Sequence, residues 1–284
     1  MNRFTFKQTL DWFCKKLSEY YEINELQSLY FIMMDDGFGY SKTNILTNYD
    51  TIVPENEFQK ITEIVSRLQK NEPIQYILGK TTFCDLTFSV KSGVLIPRPE
   101  TEELVQMILL NNKEKEEIHI LDIGTGSGCI PISLAKFLPN AKVTSIDISE
   151  KCLEIAQSNA QRNEVSIDFI LANILDESIQ FQKLDIIVSN PPYVLDSEKA
   201  LMKPNVLEHE PHLALFVSDN DPLLFYRVII EKAKKWLKSQ GTLYFEINEQ
   251  FAREIEVYAL ANGFSSAHCF KDIFGKDRIL KIKK

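Results

Sequence analysis

The segment Asn190-Pro191-Pro192-Tyr193 directly follows the apolar run 184–189. Proline cannot continue a helix, and the first proline restricts Asn190 to an extended backbone, so the run predicts a buried strand that ends here. In an open α/β sheet, ligands bind at the carboxyl ends of the strands. An amide oxygen, a proline carbonyl and an aromatic ring suit a planar NH2 group, because two acceptors take its hydrogens and the ring covers its face. The alternative is a proline-rich turn with a packed tyrosine.

A second candidate site is a glycine-rich loop at the end of an earlier predicted strand, 118–123. Glycines at a strand-to-helix turn let the backbone approach a ligand closely, with the helix N-terminus facing it. The next predicted strand ends near Asp147, in the position from which a carboxylate accepts both hydroxyls of a ribose. These features indicate a nucleoside-containing cofactor, with these predicted binding residues: Asp122, Gly124, Thr125, Gly126, Ser127, Gly128, Asp147 and Asn190.

The spacing of the glycines favours S-adenosylmethionine over a dinucleotide. The dinucleotide fingerprint GxGxxG requires a third glycine where this chain has Cys129. S-adenosylmethionine has no pyrophosphate but carries an ammonium group, which Asp122 could bind directly or through water. A tight turn without a ligand would explain the glycines alone, but it would leave Asp122, Asp147 and the segment at Asn190 without a role.

Composition restricts the class of protein. The 284 residues are 44% apolar and carry a net charge of −8, and no apolar run approaches the roughly 20 residues that span a bilayer. The N-terminus lacks the apolar core of a secretory signal, so we expect a cytoplasmic protein. The excess of acidic over basic residues argues against a broad surface that binds nucleic acid. The five cysteines are scattered and predict neither a disulfide framework nor a zinc site: Cys14, Cys84, Cys129, Cys152 and Cys269.

The hydrophobic pattern predicts a helical domain over residues 1–80, a β-hairpin linker over 81–98 and an α/β domain over 99–284. In the first domain Asn24 is expected to cap a helix that stops near Gly37. In the last, strands alternate with helices, which predicts a doubly wound, mostly parallel, seven-stranded sheet with one antiparallel strand. The predicted strands are 118–123, 142–148, 168–171, 184–189, 242–247, 266–270 and 278–282.

Together with these motifs, the chain resembles the HemK-type family of release-factor glutamine N5-methyltransferases, which are class I S-adenosylmethionine-dependent enzymes. The resemblance spans essentially the whole chain. Its matching segments are PIQYILG at 73–79, VLIPRPETE at 94–102, the glycine loop, VSNPPY at 188–193 and EPHLAL at 210–215. One departure lies after the third strand, where the family usually has Asp followed by an aromatic residue. Here Asn173 and Ile174 are expected to contact the adenine instead.

The resemblance implies the reaction and its catalytic and substrate-binding residues. A glutamine in the Gly-Gly-Gln loop of a peptide-chain release factor would be methylated at its side-chain nitrogen, with the helical domain as docking surface. The Asn190 side-chain oxygen and the Pro191 carbonyl would accept the two N–H bonds, while Pro192 and Tyr193 complete the segment and the Tyr193 ring packs on the amide. Glu246 is expected to close a hydrogen-bond network rather than perform chemistry.

Three other functions remain open from the sequence. Methyltransferases that act on adenine or guanine amino groups of nucleic acids carry similar tetrapeptides, so such an enzyme is the first alternative. A nicotinamide-dependent oxidoreductase and a non-catalytic binding protein are the others. We predict no metal, because a proline separates His209 from His212 and no third ligand is evident. No general base is assigned, no membrane or direct nucleic-acid partner is expected, and a monomer is the default.

Overall fold

The computed structural model describes residues 4–115 and 117–284. They divide into two compact units. The first contains the described residues up to Lys80 together with Lys203–His209, and the second contains Thr81–Met202 and Glu210–Lys284. That the short segment Lys203–His209 groups with the helical unit was not predicted from the sequence.

The first unit is helical around a core of apolar and aromatic side chains, among them the fully buried Phe13, Leu17 and Tyr30. A capping box starts its first helix, because the Thr5 hydroxyl accepts from the Gln8 N–H while the Gln8 side chain accepts from the Thr5 N–H. Its helices are α1 (Phe6–Leu17), α2 (Ile23–Phe38), α3 (Lys42–Thr47), α4 (Glu55–Leu68) and α5 (Ile74–Leu78).

The predicted ends of α2 were wrong. Glu22, with an extended backbone, is the N-cap, and Asn24 lies inside the first turn. The helix continues past Gly37 to Gly39, whose φ of 78° allows its N–H to donate to the Met34 and Asp35 carbonyls. A left-handed residue at this position is the usual way in which a helix ends, and Gly39 adopts it without steric cost.

A hairpin begins the second unit. Its strands are β1 (Lys80–Phe83) and β2 (Leu86–Ser89), joined by Cys84 and Asp85, which have φ values of 47° and 59°. Two consecutive positive φ angles are typical of the turn that matches the twist of paired strands. The following helix, α6 (Pro99–Asn112), starts with proline at its first position, as the sequence predicts.

The seven-stranded, mostly parallel sheet predicted from the sequence is confirmed. Its order is β10-β11-β9-β6-β3-β4-β5, in which only β11 is antiparallel to its neighbours. The strands are β3 (Ile118–Ile123), β4 (Ala141–Asp147), β5 (Asp168–Leu171), β6 (Leu184–Ser189), β9 (Leu237–Glu246), β10 (Ser266–Lys271) and β11 (Asp277–Lys283). Helices cover both faces, so the central strands β3 and β6 are buried almost throughout.

The remaining elements complete the second unit and the segment Lys203–His209. They are α7 (Cys129–Phe137), α8 (Glu150–Arg162), α9 (Pro204–His209), α10 (His212–Leu215), α11 (Leu224–Trp236) and α12 (Ala252–Ala261), the short parallel strands β7 (Val194–Leu195) and β8 (Phe216–Val217), and 3-10 turns at Asp196–Leu201 and Glu249–Phe251. In the described parts of the chain, every helix is too short or too polar to cross a bilayer.

Candidate active site

A cavity of about 260 Å³ opens at the carboxyl ends of the central strands in the second unit. Because β3, β4, β5 and β6 are parallel, the segments that follow them meet at this edge. The walls are formed by the glycine loop, the end of β4, the residues after β5 and β6, the segment before α6, and parts of α10 and α11. The structure thus brings together most of the residues that the sequence predicts as a site.

The glycine loop presents bare backbone to the cavity. Gly124, Gly126 and Gly128 have φ values of 86°, 55° and 83°, which other residues adopt only with strain. A Cβ on Gly126 would meet no atom within 4 Å, so that glycine faces open space. A Cβ on Gly128 would lie 2.8 Å from the Ile132 side chain, so this third glycine is needed for close packing instead.

Asp122 lies beneath the loop and does not line the cavity. Its Oδ2 accepts from the Ser145 hydroxyl at 2.5 Å and from Thr125 at 3.3 Å, and Thr125 in turn contacts Ser145. Its Oδ1 has no hydrogen-bond partner among the described residues. Burial raises the pKa of Asp122 from 3.8 to about 7, although these hydrogen bonds lower it. A carboxyl with one vacant oxygen in such a place favours a cationic ligand nearby.

Asp147 lies at the cavity wall, at the end of β4. Its Oδ2 accepts from the Gly126 N–H at 2.9 Å and its Oδ1 from the Ser149 N–H at 2.8 Å. Burial raises its pKa, and these backbone N–H groups oppose that rise. The carboxylate therefore orients the loop, and each oxygen keeps lone pairs for further donors.

Asn173 and Ile174, which follow β5, both line the cavity, and their contact with an adenine stays a prediction. The Asn173 side-chain oxygen accepts from the Leu175 N–H at 3.0 Å, and its backbone carbonyl accepts from the Asp176 N–H at 2.8 Å. Asn173 thus organises its own turn. Ile174 is buried and belongs to the apolar core beneath the cavity, so one of its faces is available to a flat ring.

Asn190, Pro191 and Pro192 line the cavity directly after β6. The Asn190 Nδ2 donates to the Thr101 hydroxyl at 3.2 Å. Its backbone carbonyl lies across from Gly124, 3.9 Å from where a Cβ on that glycine would be. The segment and the glycine loop are therefore neighbours at one edge of the sheet.

Tyr193 does not line the cavity. Its hydroxyl donates to Glu246 Oε1 at 2.9 Å, and the Arg278 guanidinium lies 5.9 Å from the centre of its ring. Glu246 thus closes a hydrogen-bond network, as the sequence suggested. The packing of the Tyr193 ring on a substrate amide stays a prediction.

Sequence reasoning missed the groups that hold this site together. Thr101 was noted only as part of a resembling segment, yet it links Asn190 to Glu246. Glu210 was set aside as a base, yet its buried carboxylate binds Arg98. The unusual density of proline and charge at 97–102 was the available signal. Within residues 4–115 and 117–284, no group of three His, Cys, Asp or Glu side chains could hold a metal ion.

Comparison with known proteins adds family relationships to this geometry. Residues 101–211 match the methyltransferase small domain family, and residues 8–79 match the PrmC N-terminal domain family. The release factor glutamine methyltransferase of Flavobacterium psychrophilum is 45% identical over 273 residues, which are 95% of this chain and 96% of that one. The protein of the same description from Bacteroides thetaiotaomicron is also 45% identical, over 95% of this chain and 97% of its own.

Among solved structures, a methyltransferase from Pyrococcus furiosus aligns with a TM-score of 0.51 at 18% identity. The alignment covers 81% of this chain and 98% of that one. At this identity the likeness concerns the fold alone.

Proposed function

This chain belongs to the family of release factor glutamine methyltransferases, and from that premise we propose that it methylates the side-chain nitrogen of the Gly-Gly-Gln glutamine in peptide-chain release factors. The methyl donor in this proposal is S-adenosylmethionine. The observation that carries the proposal is the adjacency of two features at one cavity: the bare glycine loop, and Asn190 with Pro191 beside it.

The residues present fit S-adenosylmethionine. The open face of Gly126 leaves room for a ligand against the backbone. The vacant Asp122 Oδ1 provides negative charge for an ammonium group from beneath the loop, without lining the cavity. In this proposal Asp147 accepts the ribose hydroxyls and Ile174 packs against the adenine, which is supported by the position of both residues in the cavity wall. When bound, the cofactor supplies an electrophilic methyl group on its sulfonium.

The task of this chain is to orient a poor nucleophile. The lone pair of an amide nitrogen is delocalised into its carbonyl, so the nitrogen reacts only when it is held toward the methyl group. Asn190 Oδ1 and the Pro191 carbonyl accept its two N–H bonds, which fixes the nitrogen in the cavity. Good alignment can supply up to roughly 7–11 kcal/mol of the barrier. No strong base is required, because the methylated nitrogen is a very acidic cation that loses its proton to water.

The helical unit is the proposed docking surface for the release factor, and the match of residues 8–79 to the N-terminal domain of this family supports that role. The α/β unit then carries the chemistry. With a translation factor as its substrate, the enzyme in this proposal acts in the cytoplasm.

Transfer of a labelled methyl group tests the proposal directly. The protein is incubated with methyl-labelled S-adenosylmethionine and purified release factor, beside a release factor whose loop glutamine is changed to alanine. We expect label on the unchanged factor alone. Asn190→Ala should lower the rate of labelling by about 100-fold or more and leave a small measurable remainder, and Asn220→Ala, an exposed asparagine in the same unit, should not change it.

Nucleic acids are included in the same assay, because a segment such as Asn190–Tyr193 also suits an adenine or guanine amino group. Label on tRNA, rRNA or DNA instead of the release factor would retain the fold and the cofactor and overturn the substrate. The net charge of −8 favours the protein substrate.

A further inference from the structure

Four side chains form a continuous hydrogen-bonded chain that starts at the cavity wall and is here called the Asn190 relay: Asn190 and Thr101, which line the cavity, followed by Glu246 and Tyr193. The Asn190 Nδ2 lies 3.2 Å from the Thr101 hydroxyl, which lies 2.6 Å from Glu246 Oε2. The Tyr193 hydroxyl lies 2.9 Å from Glu246 Oε1. Each oxygen of the carboxylate therefore has its own hydroxyl donor.

Three elements bring these residues together. Asn190 and Glu246 lie at the carboxyl ends of the adjacent parallel strands β6 and β9, where Ser189 pairs with Phe245 in the register. Thr101 lies in the first turn of α6, two positions after the proline that starts the helix. Because strands and a helix N-terminus hold all three, their separation is set by the rigid part of the fold.

The chemistry of the groups fixes the direction of every hydrogen bond. An ionised carboxylate only accepts, so the single proton of the Thr101 hydroxyl is committed to Glu246. The Thr101 oxygen can then only accept from Asn190, and the group that donates must be the NH2 of the amide. The carboxamide is consequently turned so that Oδ1 faces away from Thr101 and is available as an acceptor.

The central residues of the relay are buried in the interior of the unit. Thr101 is 3% exposed and Glu246 is 1% exposed. An acid in such a position is costly unless it is hydrogen-bonded, and a glutamine or an apolar residue would fill the space at lower cost. Burial raises the pKa of the Glu246 carboxyl, and the two hydroxyl donors oppose that rise by stabilising its charged form.

We propose that Thr101 and Glu246 are positioning residues, which hold the Asn190 amide with its oxygen, and not its NH2, toward the substrate nitrogen. The proposal rests on the proposed function. In this proposal the relay determines whether Asn190 presents an acceptor or a donor to the substrate nitrogen. A reversed Asn190 would present hydrogens to a substrate NH2 group and repel it.

The first test compares two substitutions at one position. Thr101→Val keeps the shape but removes the hydroxyl, and Thr101→Ser keeps the hydroxyl. In the labelled-methyl assay with release factor we expect Thr101→Val to lower kcat about 100-fold. S-adenosylmethionine affinity by calorimetry should stay near that of the unchanged protein. Thr101→Ser should recover most of the rate. Equal rates for all three proteins would overturn the proposal.

A double-substitution cycle separates positioning from a general loss of structure. If Thr101 acts only through Asn190, then Thr101→Val combined with Asn190→Ala should be no slower than Asn190→Ala alone. A further loss of rate, multiplied onto the first, contradicts the proposal, because it means that Thr101 contributes by another route.

Glu246→Gln provides a second test of the proposal. It replaces the first test if the Thr101→Val protein does not fold. The new amide can donate to Thr101, which frees the threonine proton for Asn190 Oδ1 and reverses the relay. We expect a loss of kcat with retained cofactor binding, and an unchanged kcat refutes the inference. The unchanged protein distinguishes failure of this proposal from failure of the proposed function. If the proposed function is wrong, the unchanged protein labels no release factor at all.

Discussion

Arg98 Nη2 lies 2.6 Å from Glu210 Oε1, although 112 positions separate the two residues in the chain. The other carboxylate oxygen, Oε2, accepts from the Ile96 N–H at 3.2 Å. The Glu210 side chain is 1% exposed, whereas that of Arg98 is 32% exposed. The segments on both sides of this ion pair, at Pro97 and Pro211, line the cavity, so the pair joins two of its walls.

Loss of this ion pair should loosen the cavity. Glu210→Gln leaves the Arg98 guanidinium without its carboxylate, so we expect the free energy of unfolding to fall by about 1–3 kcal/mol. The affinity for S-adenosylmethionine should fall as well. Urea denaturation and calorimetry measure the two effects. Glu208→Gln, an exposed neighbour, is the control and should change stability by less than about 0.5 kcal/mol. Equal effects of both substitutions would contradict this role.

Cofactor affinity should depend on pH through Asp122. With its pKa raised to about 7 by burial, the carboxyl takes up a proton as the pH falls through that value. An ammonium ligand favours the charged form, so the dissociation constant should rise by up to about tenfold for each pH unit below it. Calorimetry between pH 5.5 and about 8.5 follows this change. Asp122→Asn should bind S-adenosylmethionine weakly, and its affinity should no longer depend on pH through this group. Any pH dependence that remains in the variant comes from other groups, such as Asp147.

The stability of the protein without cofactor should respond in the opposite direction. The pKa of Asp122 in the folded protein, about 7, is above its ordinary 3.8. Asp122 therefore makes its full contribution to the stability of the folded protein below pH 3.8. That contribution is lost as the pH rises through about 7. We expect Asp122→Asn to raise the thermal unfolding midpoint relative to the unchanged protein at about pH 8, and to do so less at about pH 6. The reverse order would refute this assignment.

Two glycines of the loop should respond differently to alanine. Gly126→Ala places its Cβ in open space, so the cost is the strain of a left-handed residue, about 1–2 kcal/mol, and the main effect is lost cofactor affinity. Gly128→Ala adds contacts at 2.8 Å to Ile132 and 3.1 Å to Ala156, so its stability should fall further. Thermal unfolding and calorimetry on both variants check the contrast. Equal loss of stability would show that the loop rearranges.

Tyr193→Phe separates the ring from the hydroxyl. The variant keeps an aromatic ring but leaves Glu246 Oε1 without its donor, so the free energy of unfolding should fall by about 1–3 kcal/mol. Tyr258→Phe removes a similar hydroxyl from Glu231 in an exposed setting and should cost less than about 1 kcal/mol. A full methylation rate with reduced stability would assign the hydroxyl to structure and leave the ring as the substrate contact.

The sheet was predictable because its strands carry a clear apolar pattern. The predicted ranges 118–123, 168–171 and 184–189 coincide with β3, β5 and β6. The prediction for β9 began at residue 242, five positions late, because the exposed segment from Lys238 to Gln240 has no apolar alternation. The two-residue strands β7 and β8 are too short for any periodicity to indicate them.

The site was predictable only where neighbouring residues carry the signal. The glycine loop and the segment at Asn190 are local motifs, and parallel strand ends bring them to one edge. The contact between Thr101 and Glu246 joins positions 145 apart, so no local pattern contains it. The burial of Asp122 beneath the loop, rather than at the cavity wall, likewise involves Ser145, which lies 23 positions away on the neighbouring strand β4.

The antiparallel strand β11 has a consequence for the order in which the protein folds. It follows β10 in the chain, yet it lies between β10 and β9 and pairs Ile279 with Glu246. The five parallel strands can assemble without it, and β10 with β11 can form as a local hairpin, since their connection is short. Until that hairpin docks, the edge of β9 has no partner strand at Glu246. If the hairpin docks last, the surroundings of Glu246 are completed only after the strands that carry the glycine loop and Asn190 have paired.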